Sequence, residues 1–581
     1  MRKHGAALMS VLLPLALLAG CGAAEPAPVT ERSSIGTIAY VPLDDRPVNT
    51  DRVVYLAESL GYELLMPEER LYHTCLDGQQ TNPNGTAYGD RGALYEWVLE
   101  QEAGGCDRYI LSLDQLLSGG LVNSRSFSGG PAELSDGTEL TELQLIDGLL
   151  SALGDGENQI YLLDTVMRLA PTVGYDGWDL EGYENLRAYG MEARPTLTGG
   201  DLTVENIIAH YGCGADGARL NSADYGVPAE REARYLACRE RKLRLLDYAL
   251  ARSQGMENVH FLIGVDDSAP SSSIQTNEIA YWKQAVAGRG AVLSGADEDG
   301  MLAVCRLYGT TEFSGSPPRV QVRYFGSDGD IPASDFDHQP LKEIVGAHLA
   351  YLGAEEAGED GDLQVLVLTR PEEDSASARK AAIGSLIDAL KENQRRGVPT
   401  VLMDAARNQY GTEFQHRLVQ SADLAMLLGY AGFYDLANVT GIALSNGLAR
   451  WMCLRQQGNC STAQNQAFVR TLADSLIKDL CYKNRVKSPL AAYVREELKG
   501  DPDNFAKTGT DPAAVLAKLT ELMGPDTADV VENLSGGQFL SSPDGERTGL
   551  DGLSLSEYEF PWERVFEIRT KILVNDFVKV R

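Results

Sequence analysis

Apolar residues in this chain come in short runs that stop at acidic ones. The run 38–43 ends in Asp44-Asp45-Arg46. The form recurs at Leu111-Ser-Leu-Asp114, Leu162-Leu-Asp164, Leu262-Ile-Gly-Val-Asp-Asp267, Leu293-Ser-Gly-Ala-Asp-Glu298 and Leu402-Met-Asp404. Continuous apolar runs of this length suit strands buried on both faces of a parallel sheet. Between them lie stretches of helical period, predicted as helices over 50–60, 92–102, 139–153, 230–252, 276–287 and 300–307. Gly61 stands just past the first, where a helix ends readily on glycine. The pattern predicts an α/β protein with parallel strands, its N-terminal domain either a βα-barrel-like or a doubly wound sheet.

Ser314-Gly-Ser-Pro-Pro318 punctuates the pattern. It divides an N-terminal α/β domain, 36–315, from a second α/β domain, 316–455. Strands are predicted there over 320–325, 364–368, 399–403 and 424–428, and helices over 341–352, 376–395, 411–420 and 438–453, the last capped by Asn438. Residues 456–581 read as a mainly helical C-terminal segment. A long excursion, 171–229, carries Trp178, Tyr183 and Tyr189 and suits a lid or binding loop. Helix 230–252 bears Arg239, Arg241, Lys242 and Arg244 on what reads as a solvated face.

The first residues change the picture. Arg2, Lys3 and His4 precede an apolar stretch, 6–18, and then Leu18-Ala19-Gly20-Cys21. This resembles a bacterial lipoprotein signal peptide, 1–21, whose lipobox Cys21 becomes the lipidated (palmitate-bearing) residue. Residues 22–35 form a flexible tether. The expected location is the bacterial cell envelope, outside the cytoplasm, with membrane contact through the lipid anchor only. The net charge of −32 excludes nucleic acid as a partner, which needs a basic footprint. The eight other cysteines are scattered and make no zinc-type spacing.

In parallel α/β folds, residues just past the strands line the ligand crevice. Asp266/Asp267 and Asp297/Glu298 lie one βα unit apart, so their strands are expected to be neighbours. Paired carboxylates so placed suit general acid–base or nucleophilic work. These four are the candidate catalytic residues. Side chains alternate along a strand, so one of each pair is expected to reach the centre. Asp44, Asp45, Arg46, Asn49, Asp114, Asn123, Ser124, Arg125 and Arg168 are the candidate substrate-binding residues. Arginine forks and carboxylates hold hydroxyls or anions. No cofactor is required. Asp44 and Asp45 leave a divalent cation open. The GxSxG, HExxH and P-loop motifs are missing.

Several of these motifs together resemble a bacterial family known only as a domain of unknown function (DUF). They are Pro42-Leu-Asp-Asp-Arg-Pro-Val-Asn49, Gly119-Gly-Leu-Val-Asn-Ser-Arg125, Asp266-Asp267-Ser268 and Gly295-Ala-Asp-Glu298. Met167-Arg168 and Arg239-Glu-Arg241 extend the match, with Lys242 where the pattern has Asn. The resemblance implies a shared site and brings no activity with it. The residues themselves read as an exported, membrane-tethered hydrolase, of glycoside hydrolase type, acting on an oligosaccharide or cell-wall-derived ligand. A substrate-binding lipoprotein without catalysis and a metal-dependent hydrolase remain the alternatives.

Overall fold

A computed structural model describes residues 34–581 apart from 155, 407–409, 433–434, 576 and 580–581. The expected signal peptide, 1–21, and its Cys21 lie outside the described residues. In β1 (Gly36–Val41), Ile38 and Tyr40 enter one hydrophobic core while Ala39 and Val41 enter another. That two-residue period buries both faces and accounts for the unbroken apolar runs.

Five strands join β1: β2 (Tyr62–Leu65), β3 (Arg108–Ser112), β4 (Gln159–Val166), β5 (Val259–Val265) and β6 (Gly290–Ser294). Their order is β2-β1-β3-β4-β5-β6, all parallel. This is an open, doubly wound sheet with β2 and β6 at its edges, so the barrel alternative is set aside. Helix α1 (Asp51–Leu60) ends on Gly61 at φ 99°, a left-handed conformation that glycine adopts without a Cβ penalty.

The second sheet repeats the topology. Strands β7 (Arg319–Phe325), β8 (Glu355–Glu356), β9 (Leu363–Leu368), β10 (Thr400–Asp404) and β11 (Leu427–Gly432) lie in the order β8-β7-β9-β10-β11, again parallel. The strand expected over 424–428 begins at Leu427, because Leu424–Met426 forms a 3-10 turn. The two sheets share one core. Val53 and Leu56 of α1, Met301 and Leu307 of α2 (Asp299–Thr311), and Ile442 and Leu448 of α3 (Leu436–Gln457) pack between Ile38 and Tyr40 on one side and Val365, Val367 and Val401 on the other.

The C-terminal segment is mainly helical from Thr462 to Ser535, with breaks at 497–504 and 509–511, and includes a stretch of π-helix, Leu476–Val486. Expected as mainly helical to its end, it turns instead to short antiparallel strands, among them Leu553–Glu559 against Arg569–Val574. The sequence Leu553-Ser-Leu-Ser-Glu-Tyr-Glu559 has a period of two, which a strand uses and a helix does not. A buried ionic cluster docks this segment on α1. Arg52 Nε donates to Asp474 at 2.9 Å, Arg52 Nη2 to Asp479 at 2.8 Å, and Lys478 Nζ lies 2.7 Å from Asp474. Among the described residues no helix is long and apolar enough to cross a membrane.

Candidate functional site

Beyond the carboxyl ends of the first sheet lies a cavity of about 700 Å³. Three parts of the chain build it. The first sheet supplies Arg46, Arg125, Arg168, Asp266, Asp267 and Asp297. The second region supplies Phe336, Asp337, Asp435 and Asn438. The C-terminal segment supplies Lys483, Lys487, Trp562, Arg564 and Phe566.

Arg46 shows how the local sequence sets a functional side chain. Its own backbone N–H donates to Asp44 Oδ1 at 3.0 Å, and Asn49 Nδ2 donates to the same oxygen at 2.9 Å. Asp44, fully buried, then accepts from Arg46 Nε and Nη2 at 2.9 and 2.7 Å. The other side of the guanidinium meets Asp297, with Nη1 3.0 Å from Oδ2. Asp44 and Asn49 therefore do not line the cavity; they aim Arg46 into it. Burial alone would raise Asp297, yet Arg46 holds its carboxyl below the usual range.

The arginine–carboxylate pairing repeats. Arg125 Nε and Nη2 both donate to Asp266 Oδ2, at 3.0 and 2.7 Å. Arg168 pairs with Asp267 and donates to Tyr183 Oη at 3.0 Å. Asp266, more deeply buried, has its carboxyl raised by burial against the pull of Arg125 and Arg168. Strands β5 and β6 are neighbours, as their spacing predicted, and Asp266, Asp267 and Asp297 face one space. Both members of the first pair reach it, because the turn after β5 redirects the second.

Glu298 does not reach it. It is buried beside the cavity, accepts from Asn438 Nδ2 at 2.9 Å and lies 3.8 Å from His348 Nε2. Gly295 makes that packing feasible. At φ 90°, a Cβ there would stand 1.9 Å from Glu298 Oε1.

Four substrate-binding candidates also lie elsewhere. Asp45 turns away from the cavity, to His73 Nδ1 at 2.6 Å and Trp562 Nε1 at 2.7 Å. Asp114 falls in the first turn of a short helix, Leu113–Ser118, and with Asp164 it holds the buried Lys242, whose Nζ is 2.8 Å from Asp164. Asn123 donates to Ser118 O and accepts from Tyr175 Oη; Ser124 donates to Leu121 O. These residues shape the loop that delivers Arg125.

The face of helix 229–252 that reads as solvated is mostly buried. Arg239 pairs with Glu278 at 2.8 Å and donates to the Met167 and Arg168 carbonyls, so it positions Arg168. Arg241 donates to Leu117 O at 2.7 Å, and only Arg244 stays half-exposed.

The sequence patterns passed over the residues that close the cavity. Helix α3 begins at Leu436, not 438, and its first amides donate to Asp337, Leu436 N at 3.1 Å and Ala437 N at 3.3 Å. Asn438 sits inside the first turn and serves Glu298 instead of capping. Asp435, at the N-cap position, has Oδ1 buried without a hydrogen-bond partner. Burial, and after it Asp267, Asp337 and Asp297, push its carboxyl well above the usual range. The one signal for it was position, an Asp just past a strand and before a helix.

On the opposite wall, Trp562 and Glu563 adopt positive φ, 57° and 47°, uncommon for residues with a Cβ. The turn sets Trp562 between two spaces. One is the main cavity. The other, about 480 Å³, is lined by Asp45, Glu69 and His73. Among the described residues these three form the one group with metal-type spacing. Asp44 is not among them. Arg569 already brings positive charge there, with Nη1 3.5 Å from Glu69 and Nη2 donating to Asp45 O at 3.1 Å.

The model of the family described as "Protein of unknown function (DUF4127)" matches residues 38–571. The chain belongs to this family. Its match runs through both sheets and the C-terminal segment, so all three walls of the cavity lie within family sequence. No curated protein and no solved structure matches the chain.

Proposed function

We propose that this protein is a lipid-anchored hydrolase of the bacterial cell envelope that cleaves a glycosidic bond in a carbohydrate. The observation that supports this reading is a divergence of carboxyl groups within one cavity. Arg46, with Nη1 3.0 Å from Asp297 Oδ2, favours the ionised form of that carboxyl, while Asp435, with Oδ1 buried and lacking a hydrogen-bond partner among acidic neighbours, favours the protonated form. Titratable groups driven apart in this way divide acid and base roles. Asp435 is assigned as proton donor to the leaving oxygen, and Asp297 as nucleophile or as base toward water. The balance is one bond hydrolysed by one water, with Asp435 recovering its proton. Asp266–Arg125 and Asp267–Arg168 are assigned to substrate hydroxyls, which accept from the guanidinium edges and donate to carboxylate oxygens. Arg239 and Asp44 act as positioning residues.

A binding lipoprotein without catalysis is the second reading. Its support is that Asp266, Asp267 and Asp297 each already have an arginine. Incubation with a cell-wall digest, followed by mass spectrometry of the products, separates the two. Hydrolysis predicts new reducing ends, lost by ~10²–10⁴-fold in Asp435→Asn and Asp297→Asn. Unaltered ligand recovered from a tight complex favours the second reading. Full turnover in both variants overturns the acid–base assignment.

A further inference from the structure

The C-terminal wall of the cavity differs from the rest. Arg46, Arg125 and Arg168 each have a carboxylate partner. Arg564 and Lys487 also line the cavity, and among the described residues neither takes an ion pair with a carboxylate. They are stacked on aromatic rings instead. The Arg564 guanidinium carbon lies 4.8 Å from the Trp562 ring centroid and 4.6 Å from that of Phe566. Lys487 Nζ lies 4.7 Å from the same Phe566 ring, and Arg46 lies 5.0 Å from Trp562.

Rings over a guanidinium leave its N–H edge as the donor surface, and that edge matches the two oxygens of a carboxylate or phosphate. Acidic groups nearby do not use it. Asp503 and Glu567 moderate the charge of Arg564 and Lys487 without pairing, and Glu567 is buried with neither oxygen hydrogen-bonded. Lys483, set by the π-helix, adds a third cation to this wall. In a chain of net charge −32, Arg564 and Lys487 gathered in one cavity without a carboxylate partner need a local reason.

We propose that this wall binds an oxyanion of the ligand, a carboxylate or a phosphate, at the Arg564 edge beside Lys487. The ligand class is then an acidic carbohydrate, with its ring over the Asp–Arg pairs and its anion toward Trp562 and Phe566. The choice of a carbohydrate rests on the hydrolase reading above; the oxyanion site does not.

The test is calorimetry of the protein with glucuronate, glucose and inorganic phosphate, repeated on Arg564→Gln, Arg564→Lys and Lys487→Met. The expected result is glucuronate binding at least ~10-fold tighter than glucose, the span one charge-assisted hydrogen bond provides. Arg564→Gln and Lys487→Met should remove that preference and leave glucose unchanged. Arg564→Lys should restore part of it, since the charge returns without the fork. Phosphate binding with weak glucuronate keeps the oxyanion site and assigns its source to phosphate. Equal affinity for glucuronate and glucose without phosphate binding, or a preference that survives both Arg564→Gln and Lys487→Met, overturns the proposal. Neither outcome bears on the hydrolase reading, which stands or falls on the Asp435 and Asp297 variants.

Discussion

At the ends of β1, β5 and β6 the chain leaves Arg46, Asp266, Asp267 and Asp297 facing a cavity, whereas at the ends of β7, β9 and β10 it closes on itself. In that second sheet Thr369 Oγ1 donates to Ser327 O at 2.6 Å, Ser327 Oγ to Arg370 O at 2.6 Å, and Tyr410 Oη to Thr369 O at 3.1 Å. Asp404 accepts from Ala406 N at 3.2 Å. The two sheets have the same core strand order, so topology alone does not make a site. The crevice stays open where the groups past the strands are long charged side chains that pair as arginine and carboxylate around a space. It closes where hydroxyl groups of one loop bond the backbone carbonyls of the next. The second sheet contributes to the cavity chiefly through what lies around it, Asp435 past β11 and Asp337 in the loop before residue 341.

The largest effect that tests this contrast is on turnover. Asp297→Asn and Asp435→Asn should each lower hydrolysis of the cleaved oligosaccharide by ~10²–10⁴-fold. Asp404→Asn, at a buried strand-end acid of the second sheet, should leave the rate within about twofold, since it does not line the cavity. A rate loss in Asp404→Asn as large as the others would break the comparison.

Next in size is a stability effect. Lys242→Met leaves Asp114 and Asp164 buried without their cation. It should cost about 3–5 kcal/mol in urea unfolding, as stranding a buried charge does. An unchanged midpoint would mean that the two acids are neutral in the native protein. In the second sheet, Thr369→Val removes only neutral hydrogen bonds and should cost about 1–2 kcal/mol by the same measurement.

The pH dependence sharpens the roles. On the hydrolase reading, turnover needs Asp297 ionised and Asp435 protonated. The rate should therefore fall on the acid side as Asp297 takes up its proton, at a pH below the ordinary aspartate range. It should fall again on the alkaline side as Asp435 loses its proton, well above that range. A profile set by one acidic limb alone removes Asp435 from the mechanism.

The smallest expected change is in anion affinity. Burial, against the pull of Glu567 and Asp479 and with Arg52 and Lys487 adding repulsion, lowers Lys483 to about 8. It is charged below that pH and neutral above it. Glucuronate affinity should weaken severalfold between pH 7 and pH 9 while glucose affinity stays flat, read by calorimetry. A flat glucuronate response would remove Lys483 from the anion wall.

Much of this was legible in the residues. The runs ending in Asp44, Asp164, Asp266 and Asp404 marked buried parallel strands, because only strands covered on both faces are apolar at every position. The spacing of Asp266 and Asp297 marked neighbouring strands. Which acid of a pair faces a ligand was not legible. Asp44 and Asp45 are adjacent and equal in type, yet one aims Arg46 and the other holds Trp562, some five hundred residues away. Lys242 and Arg239 read as a solvated face because helical period shows where charges gather and not what packs against them. The alternating run at 553–559 was legible and was outweighed by the helices before it.

Taken alone, the sequence determined the parallel α/β class and the order of strands and helices. It also determined the set of acidic strand ends from which a site could be drawn, because local period and turn chemistry fix those. The tertiary structure decided that the first sheet is open and not a barrel. It decided that Asp114, Asn123, Ser124 and Glu298 serve the framework and that Asp45 faces a second cavity. It also placed Asp435, Lys487 and Arg564 opposite Asp297. A carboxyl's charge state and a cation's freedom depend on burial and on neighbours hundreds of residues distant, and only the packed chain brings those together.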